Sequence, residues 1–422
     1  MHKIISSLFL ASFIIMIGCG EIDDPSPVNE DDPTLPDTEG SAPAAGWVSD
    51  HDETFNSGSG FVKENGSTSM AFSIIPYNED QMLVGNLLGT SYNGTPIGLV
   101  CRINEDGSLD TSFDSRQSFK GDVGSVHNMQ ILRDGKILVV GRFTANNAQS
   151  TQNVAILNPD GSLDTSFSTD GAGLSGNGLF ACAEDSQGRI LVGGFIFDYN
   201  KDYSYGKVNL FRFNRNGTLD TSFPSTFNAE VDDIKFDANN RLWVVGRFTK
   251  VNGLDTRYVA ILNEDGSLYK TNSDLNEAGS FGDGAFSVDF QKDGKAIVDG
   301  AFTYRKNGNG AANVTRFNND LTLDETFDYT YGLTYFADDW MRRIFVTKTD
   351  DILVTGYFSP DYLGLLNPDG SLSETFDASE KIDGYTNDVL VDGEGRIYVV
   401  GSFHNYGDAL VNGIVRLKGI SK

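Results

Sequence analysis

The chain has little of what would make it a disulfide scaffold, a metalloprotein or a nucleic-acid binder. Its 422 residues include three cysteines (Cys19, Cys101 and Cys182) and four histidines. Cys101 and Cys182 fall in repeats that are not neighbours, so two buried free thiols are expected rather than a disulfide framework. His2, His51, His127 and His404 are scattered, and no pair has the spacing of metal ligands. Positive charge is scarce: 32 Lys and Arg stand against 59 Asp and Glu, a net charge of −27. Phosphate recognition needs clustered Lys and Arg, so nucleic acid is excluded as a partner. Docking of the protein surface on anionic lipid is excluded for the same reason. No segment has a sustained helical period. No Ser-His-Asp set, Cys-His pair or metal cluster is evident. The Gly-rich stretch from Gly171 to Gly178 does not lead from a strand into a helix, so it is no phosphate cradle. No catalytic residue, metal or cofactor is expected.

What the chain does have is a repeat. It reads NEDGSLDTSF ending at Phe113, NPDGSLDTSF at Phe167, NRNGTLDTSF at Phe223, NNDLTLDETF at Phe327 and NPDGSLSETF at Phe376. A degraded copy, NEDGSLYKTN, covers Asn263 to Asn272, and a headless DETF ends at Phe55. A period of about 50 residues means a stacked or radial architecture. Each unit has the same order. An apolar strand such as Val126 to Leu132 leads into a tight turn such as Arg133-Asp134-Gly135-Lys136. Such turns need positive φ and signal a hairpin. A second strand ends Val-Gly-x-Phe, as in ILVVGRF to Phe143 and ILVGGF to Phe195, and its glycine marks a bulge or a close backbone approach. After a connection of variable length comes a third strand, such as VAILN at Val154, and then a short fourth, Leu-Asp-Thr-Ser-Phe.

Four short antiparallel strands per unit, repeated around an axis, are a β-propeller blade. Counting on Gly85, Gly141, Gly194, Gly246, Gly300, Gly356 and Gly401 gives seven blades. The last blade stops at IVRLKGISK with no fourth strand, while Trp47 to Phe55 is an orphan fourth strand. The expected fold is therefore all-β: a seven-bladed β-propeller of four-stranded antiparallel blades over residues 46–422, closed by the N-terminal strand completing the last blade. The Asn-x-Asp-Gly-x-Leu-Asp turn invites a calcium reading, but it lacks the EF-hand spacing and the bidentate Glu. Tyr269 and Ser373 replace its second Asp in two copies. A structural turn, with Asp side chains bonded to backbone amides, is the expectation. With these motifs the chain resembles the bacterial delta-60 repeat propellers over essentially all of residues 46–422. The resemblance implies an extracytoplasmic propeller and carries no catalytic motif.

The first 18 residues read as a signal segment: His2 and Lys3, then a nearly unbroken apolar run from Ile4 to Ile17. It ends Met16-Ile17-Gly18-Cys19, which resembles the lipobox of bacterial lipoproteins. That resemblance implies cleavage before Cys19 and lipidation there; an ordinary signal peptide with a chance cysteine is the alternative. Residues 20–45 hold eight acidic residues, no Lys or Arg, and Pro25, Pro27, Pro33, Pro36 and Pro43. Residues 19–45 are expected to form the lipidated cysteine and a disordered tether. Glu21, Asp23 and Asp24 resemble the surface-export signal of Bacteroidota lipoproteins, which implies an outer-membrane protein exposed at the cell surface; a charged linker on a periplasm-facing protein is the other reading. Membrane contact is expected through the lipid alone.

Second-to-third and fourth-to-first connections are long and unequal, and in an up-and-down blade both emerge on one face. Loops on a rigid scaffold are where binding resides. Two of them are aromatic: FDYNKDYSYGK, with Tyr199, Tyr203 and Tyr205, and FDYTYGLTYFADDWMRR, with Tyr331, Tyr335 and Trp340. Exposed aromatics beside Asp, Asn and Arg stack on sugar rings, although Tyr and Trp also pack into loop mini-cores. Aligning the units on their turns places Asn128, Asp233, Ser287, Arg343 and Asp388 at one level of the channel mouth, either as a ligand site or as hydrated channel filling. Three functions compete: a binding or scaffold module for a glycan or protein partner, a propeller glycosidase or lyase using Asp233 and Asp388, and a structural subunit of an envelope complex.

Overall fold

The computed structural model describes residues 46–420 apart from short segments, the longest being 200–208, 278–283, 304–313, 328–340 and 357–361. The leader, Cys19 and the acidic tether lie outside the described residues. The described chain is all-β.

Seven antiparallel sheets carry the repeat. In sheets one to three the inner, middle and third strands are Ala71–Pro76, Gln81–Asn86 and Val100–Asn104; Phe119–Ile131, Ile137–Ala145 and Gln152–Leu157; and Leu174–Glu184, Ile190–Tyr199 and Leu210–Phe213. Sheet four has Val231–Phe236, Leu242–Gly246, Val259–Leu262 and a fourth strand, Leu268–Thr271. Sheets five and six have Gly284–Phe290, Ala296–Thr303 and Val314–Phe317, then Met341–Val346, Ile352–Gly356 and Leu363–Leu366. Sheet seven has Tyr385–Val391, Ile397–Ser402 and Ile414–Ile420, and Trp47–His51 pairs with the last of these as its outer strand. The hairpin turns take the positive φ their sequences require, as at Gly135, Gly188, Asn240 and Gly395.

Every inner strand slips by one residue against its middle strand. The slips fall at Phe72, His127, Phe180, Asp232, Phe286, Arg342 and Asn387. The recurring glycine explains them. Gly141 pairs with Val126, Gly246 with Val231 and Gly401 with Thr386, in each case beside the bulge. A Cβ on any of the three would stand 2.1 Å from a carbonyl oxygen of the bulged strand. Two positions differ from the sequence reading. In sheet one Asn86, not Gly85, holds this place opposite Ala71; Gly85 instead makes room for Val126 of the next sheet, which a Cβ would meet at 2.6 Å. In sheet three the residue two after Gly194 is Ile196, which is buried, while Phe195 is only half-buried.

The expected fourth strand also differs. Leu-Asp-Thr-Ser-Phe makes a single bridge, Leu109 to Ile103 in sheet one, and then turns away. The second Asp holds the turn in this copy: Asp110 Oδ1 accepts from the Ser112 amide at 2.9 Å and its hydroxyl at 2.7 Å, while the copy with Ser373 also makes only a bridge, Leu366 to Leu372. Such local side-chain bonds compete with a strand ladder. Where Tyr269 replaces that Asp, the segment is a true strand.

The third strands of sheets one, three, five and seven each carry an arginine that clamps this turn. Arg102, Arg212, Arg316 and Arg416 donate through Nε to Asp110, Asp220, Asp324 and Asp52, each at 2.8 Å. Their guanidiniums lie 4.5–5.2 Å over the rings of Phe113, Phe223, Phe327 and Phe55. Each also donates to a turn carbonyl of the following sheet: Pro159 at 2.8 Å, Glu264 at 2.7 Å, Pro368 at 2.7 Å and, from sheet seven back to sheet one, Glu105 at 2.6 Å. Even-numbered sheets do otherwise. Lys136 serves Asp164 at 2.7 Å, Arg241 lies 4.9 Å over Tyr269, and sheet six has Ser373.

Seven hydrophobic clusters lie between successive sheets. One joins Phe113 of sheet one to Val126 and Val139 of sheet two, and another joins Tyr398, Val400 and Phe55 to Ile74 and Val84 of sheet one. Burial of each recurring Phe contributes about 2 kcal/mol.

Deleting residues 46–56 removes the outer strand of sheet seven together with Asp52 and Phe55, and should lower the melting temperature of the whole domain as one transition. Arg416→Met should cost roughly 3 kcal/mol, because it removes the cation from Asp52, which keeps only Thr54, and the donor from the Glu105 carbonyl. Urea unfolding measures both; an unchanged midpoint in either variant would contradict the clamp.

Candidate functional site

The residue that follows each bulge sits at one level of the inner strands: Ser73, Asn128, Ala181, Asp233, Ser287, Arg343 and Asp388. The turn-based alignment found five of the seven. The inner strand has one edge with no strand beside it, so its amides need partners. These side chains supply them, from one sheet to the next. Asp388 accepts from its own neighbour Val389 and from Ile74 of sheet one, both at 2.9 Å. Asp233 accepts from Ile234 at 2.9 Å and from Val288 of sheet five at 3.2 Å. Ser287 Oγ accepts from Ile344 of sheet six at 3.3 Å. Asn128 accepts from Met129 at 2.8 Å and donates to the Phe180 carbonyl of sheet three at 2.9 Å. Two residues further on a second row repeats the pattern: Gln130 accepts from the Glu184 amide at 2.8 Å and Asp289 from the Val346 amide at 2.9 Å.

Arg343 brings the ring together. Its guanidinium is 3.5 Å from Asp233 and 3.4 Å from Asp388, which belong to sheets four and seven. A cavity of about 450 Å³ adjoins this ring. It is lined from the ring level to Pro76, Phe236 and Phe345, near the short hairpins. The described cavity thus continues away from the long connections, whereas the sequence reading set the ring at the mouth beside them. Cys182 lines it, and burial pushes that thiol up to about 12, so it stays an inert thiol at neutral pH. Cys101 is likewise free and buried.

Burial raises the carboxyls of Asp233 and Asp388, with Arg343 opposing the rise. Asp299 goes further. It pairs with Ser287 across the strands of sheet five, it is wholly buried, and no well-formed hydrogen bond reaches its carboxyl oxygens, although the Ser287 and Asp299 amides lie near enough to favour the charged form weakly. Desolvation, with the Asp233 charge nearby, pushes it well above the ordinary carboxylate range. The motif turns behave oppositely. For Asp110 burial alone would raise the value, but the Ser112 hydroxyl and amide, then Arg102 and Gln81, hold it down to about 2. Their lone pairs are spent on the turn.

One residue nearer the long connections, the bulge residues form a second tier. Phe72, His127 and Phe180, from three successive sheets, are half-buried. Phe72 meets the edge of His127 at 5.3 Å, and His127 lies parallel to Phe180 at 5.2 Å. The Leu179 carbonyl, 3.0 Å from His127 Nδ1, can only accept, so Nδ1 carries a proton; the Ser125 hydroxyl lies 2.7 Å from Nε2. The sequence reading missed this tier, although the column just before its aligned ring residues reads Phe, His, Phe, Asp, Phe, Arg, Asn and would have shown it. Trp340, Tyr331, Tyr335, Tyr203 and Tyr205 lie outside the described residues. Tyr199, read as part of an inserted loop, ends the middle strand of sheet three and is buried against Phe211 and Phe213.

Residues 88–113, 132–167, 186–223, 291–327 and 395–419 match the family described as "Domain of unknown function (DUF5122) beta-propeller". No curated protein matches the sequence. Among solved structures, a catalytically inactive virginiamycin B lyase from Staphylococcus aureus, with quinupristin, is 13% identical over 85% of this chain and 97% of its own, with a TM-score of 0.50. The extracellular domain of BT4673 from B. thetaiotaomicron is 10% identical over 86% of this chain, TM-score 0.48. PorZ, a surface component of the type-IX secretion system of Porphyromonas gingivalis, is 13% identical over 86% of this chain, TM-score 0.44. The chain spans 42% of the BT4673 chain and 46% of the PorZ chain. Identities this low speak to fold alone.

The raised carboxyl of Asp299 gives a pH prediction. A folded-state pKa above the unfolded one leaves stability intact below about 4 and removes it as pH rises through the folded value. Asp299→Asn should therefore gain melting temperature over wild type as pH rises above about 4. A difference that stays flat with pH would contradict a desolvated carboxyl.

Proposed function

We propose that this chain, a protein of DUF5122 β-propeller repeats, is a seven-bladed ring closed by its N-terminal strand and acts as a tethered binding module for a glycan or protein partner. Support for the closed ring comes from the bonds that run from sheet seven to sheet one: Asp388 with Ile74, Asn387 with the Ala71 carbonyl at 2.8 Å, and Arg416 with Glu105. The tether is Cys19, lipidated at the end of an export signal, on an outer-membrane protein facing the cell surface; the lipobox-like Met16-Ile17-Gly18-Cys19 and the acidic residues after it support that reading.

One observation carries the choice of binding over catalysis. The channel carboxylates a glycosidase would use, Asp233 and Asp388, spend their oxygens on backbone amides of the next sheet and on Arg343. A general acid or nucleophile needs those lone pairs for substrate. The working face is then the one with the long connections, where Trp340, Tyr331, Tyr335, Tyr203 and Tyr205 are proposed to contribute contacts.

A glycan array run beside a hydrolysis assay tests the reading. Retention without turnover is expected; turnover that Asp233→Asn or Asp388→Asn abolishes would overturn it, and neither result, with a co-purifying envelope protein, would favour the structural-subunit reading. Trp340→Ala should weaken retention about tenfold, since 1.4 kcal/mol is a factor of ten. For the tether, Cys19→Ser should remove lipid labelling and release the protein from the membrane fraction, because multiple acyl chains are what make such anchoring stable; retention of the Cys19→Ser protein would contradict it.

A further inference from the structure

The bulge tier is divided in character. On sheets one to three it is the aromatic arc of Phe72, His127 and Phe180. On sheet four it is polar, and on sheet five it is aromatic again with Phe286. Arg247 Nε is 3.2 Å from Glu230 and 3.7 Å from Asp232, and its guanidinium lies 4.8 Å over the ring of Phe286. Asp232 and Phe286 are bulge residues of adjacent inner strands, as Phe180 and Asp232 are. All of these side chains are half-buried, whereas the ring residues one step along are buried apart from Arg343.

Two glycines hold the tier in place. A Cβ on Gly178, whose φ is +133, would stand 3.0 Å from His127 Cε1. A Cβ on Gly284 would stand 2.8 Å from Arg247 Cγ. Neither glycine belongs to the recurring bulge position; Gly178 also serves a register shift of its own strand, between Gly176 and Gly178. Each opens the space in which one side chain lies. The imidazole is further fixed by Ser125 and the Leu179 carbonyl, as described above. A preorganised aromatic surface next to a fixed carboxylate–guanidinium set has the chemistry to bind a ligand with one apolar face and several hydroxyls.

We propose that this tier binds a neutral saccharide. This rests on the binding-module reading and names the ligand class for its long-connection face. The apolar face of a pyranose ring stacks on the Phe180 and His127 arc, while ring hydroxyls bond to Glu230, Asp232 and Arg247 on the neighbouring strands. The charge balance selects against acidic sugars: two carboxylates face one guanidinium, on a chain of net charge −27. The bulge is what gives the site, because the extra residue has no cross-strand partner and is available to the axis side of the fold.

The test is saturation-transfer NMR of the full-length protein in detergent with tetraoses of glucose, xylose, mannose and N-acetylglucosamine, and with a tetragalacturonate. Transfer to at least one neutral tetraose and none to the galacturonate is expected. Phe180→Ala should then weaken that binding tenfold or more, and Phe180→Trp should keep it. Phe72→Ala, a second half-buried position, serves if Phe180→Ala does not fold. Arg247→Lys, which loses the forked donors, should weaken binding without abolishing the stacking signal. Neutral-sugar binding that survives Phe180→Ala, Phe72→Ala and Arg247→Lys but not Trp340→Ala would overturn this site and leave the glycan-binding module standing. Preference for the galacturonate would also overturn it. No saccharide binding on the full array would overturn this site and the glycan arm of the binding-module reading, leaving the protein-partner arm.

Discussion

An inner strand with an unpaired edge is the constraint on which the rest of this structure depends. Radial sheets leave one ladder of amides and carbonyls facing the axis with no strand to receive them, and a buried unpaired amide costs about 1–3 kcal/mol. Here the debt is met by side chains from the preceding sheet. Asp388 reaches Ile74, Asp233 reaches Val288, Ser287 reaches Ile344, and Gln130 and Asp289 repeat the arrangement two residues on. The one-residue bulge places those side chains, and a glycine opposite it leaves room for the carbonyl of the bulged strand in sheets two, three, four, five and seven, while in sheet one Asn86 holds the place. Acid-rich composition and channel polarity, which suggest chemistry when read alone, follow here from backbone satisfaction.

The periphery is solved differently and with a two-sheet period. Arginine on the third strand of sheets one, three, five and seven bonds the motif Asp, covers the motif Phe and reaches a turn carbonyl of the next sheet. Planar guanidinium with forked donors suits this combined role in a way that Lys136, which makes only the carboxylate contact, does not. Sheets seven and one both carry the arginine, and between them Glu105 receives two: Arg416 on its carbonyl and Arg396 on its carboxylate.

Much of the fold was legible in the sequence because its signals are local. Asp-Gly turns, alternation and the recurring Phe report short-range geometry, so the strand order, the buried thiols and the pairing of Trp47–His51 with the C-terminal strand could be anticipated. Two kinds of information were not local. A one-residue slip changes which column of an alignment faces where, so Asn86 and Ile196 were misassigned and the Phe72, His127 and Phe180 tier was passed over. The fourth strand was read from its apolar Leu and Phe, although the Asp between them bonds its own neighbours and curls the chain. The site was harder still. Asp233 and Asp388 were recognisable as axial carboxylates, but their partners are amides of another sheet, and no spacing in the chain announces that.

The division of labour that results is a level of inner-strand side chains, whose polar groups are committed to joining one sheet to the next, beneath the half-buried bulge residues Phe72, His127, Phe180, Asp232 and Phe286. The claim at the centre of this account is that the channel carboxylates are structural staples. Amide hydrogen exchange in Asp388→Ala tests it most directly. The account expects faster exchange at Ile74 and Val389, the two amides that lose their acceptor, on opposite sides of the junction between sheets seven and one. Exchange at Ile74 that stays at the wild-type rate would contradict it.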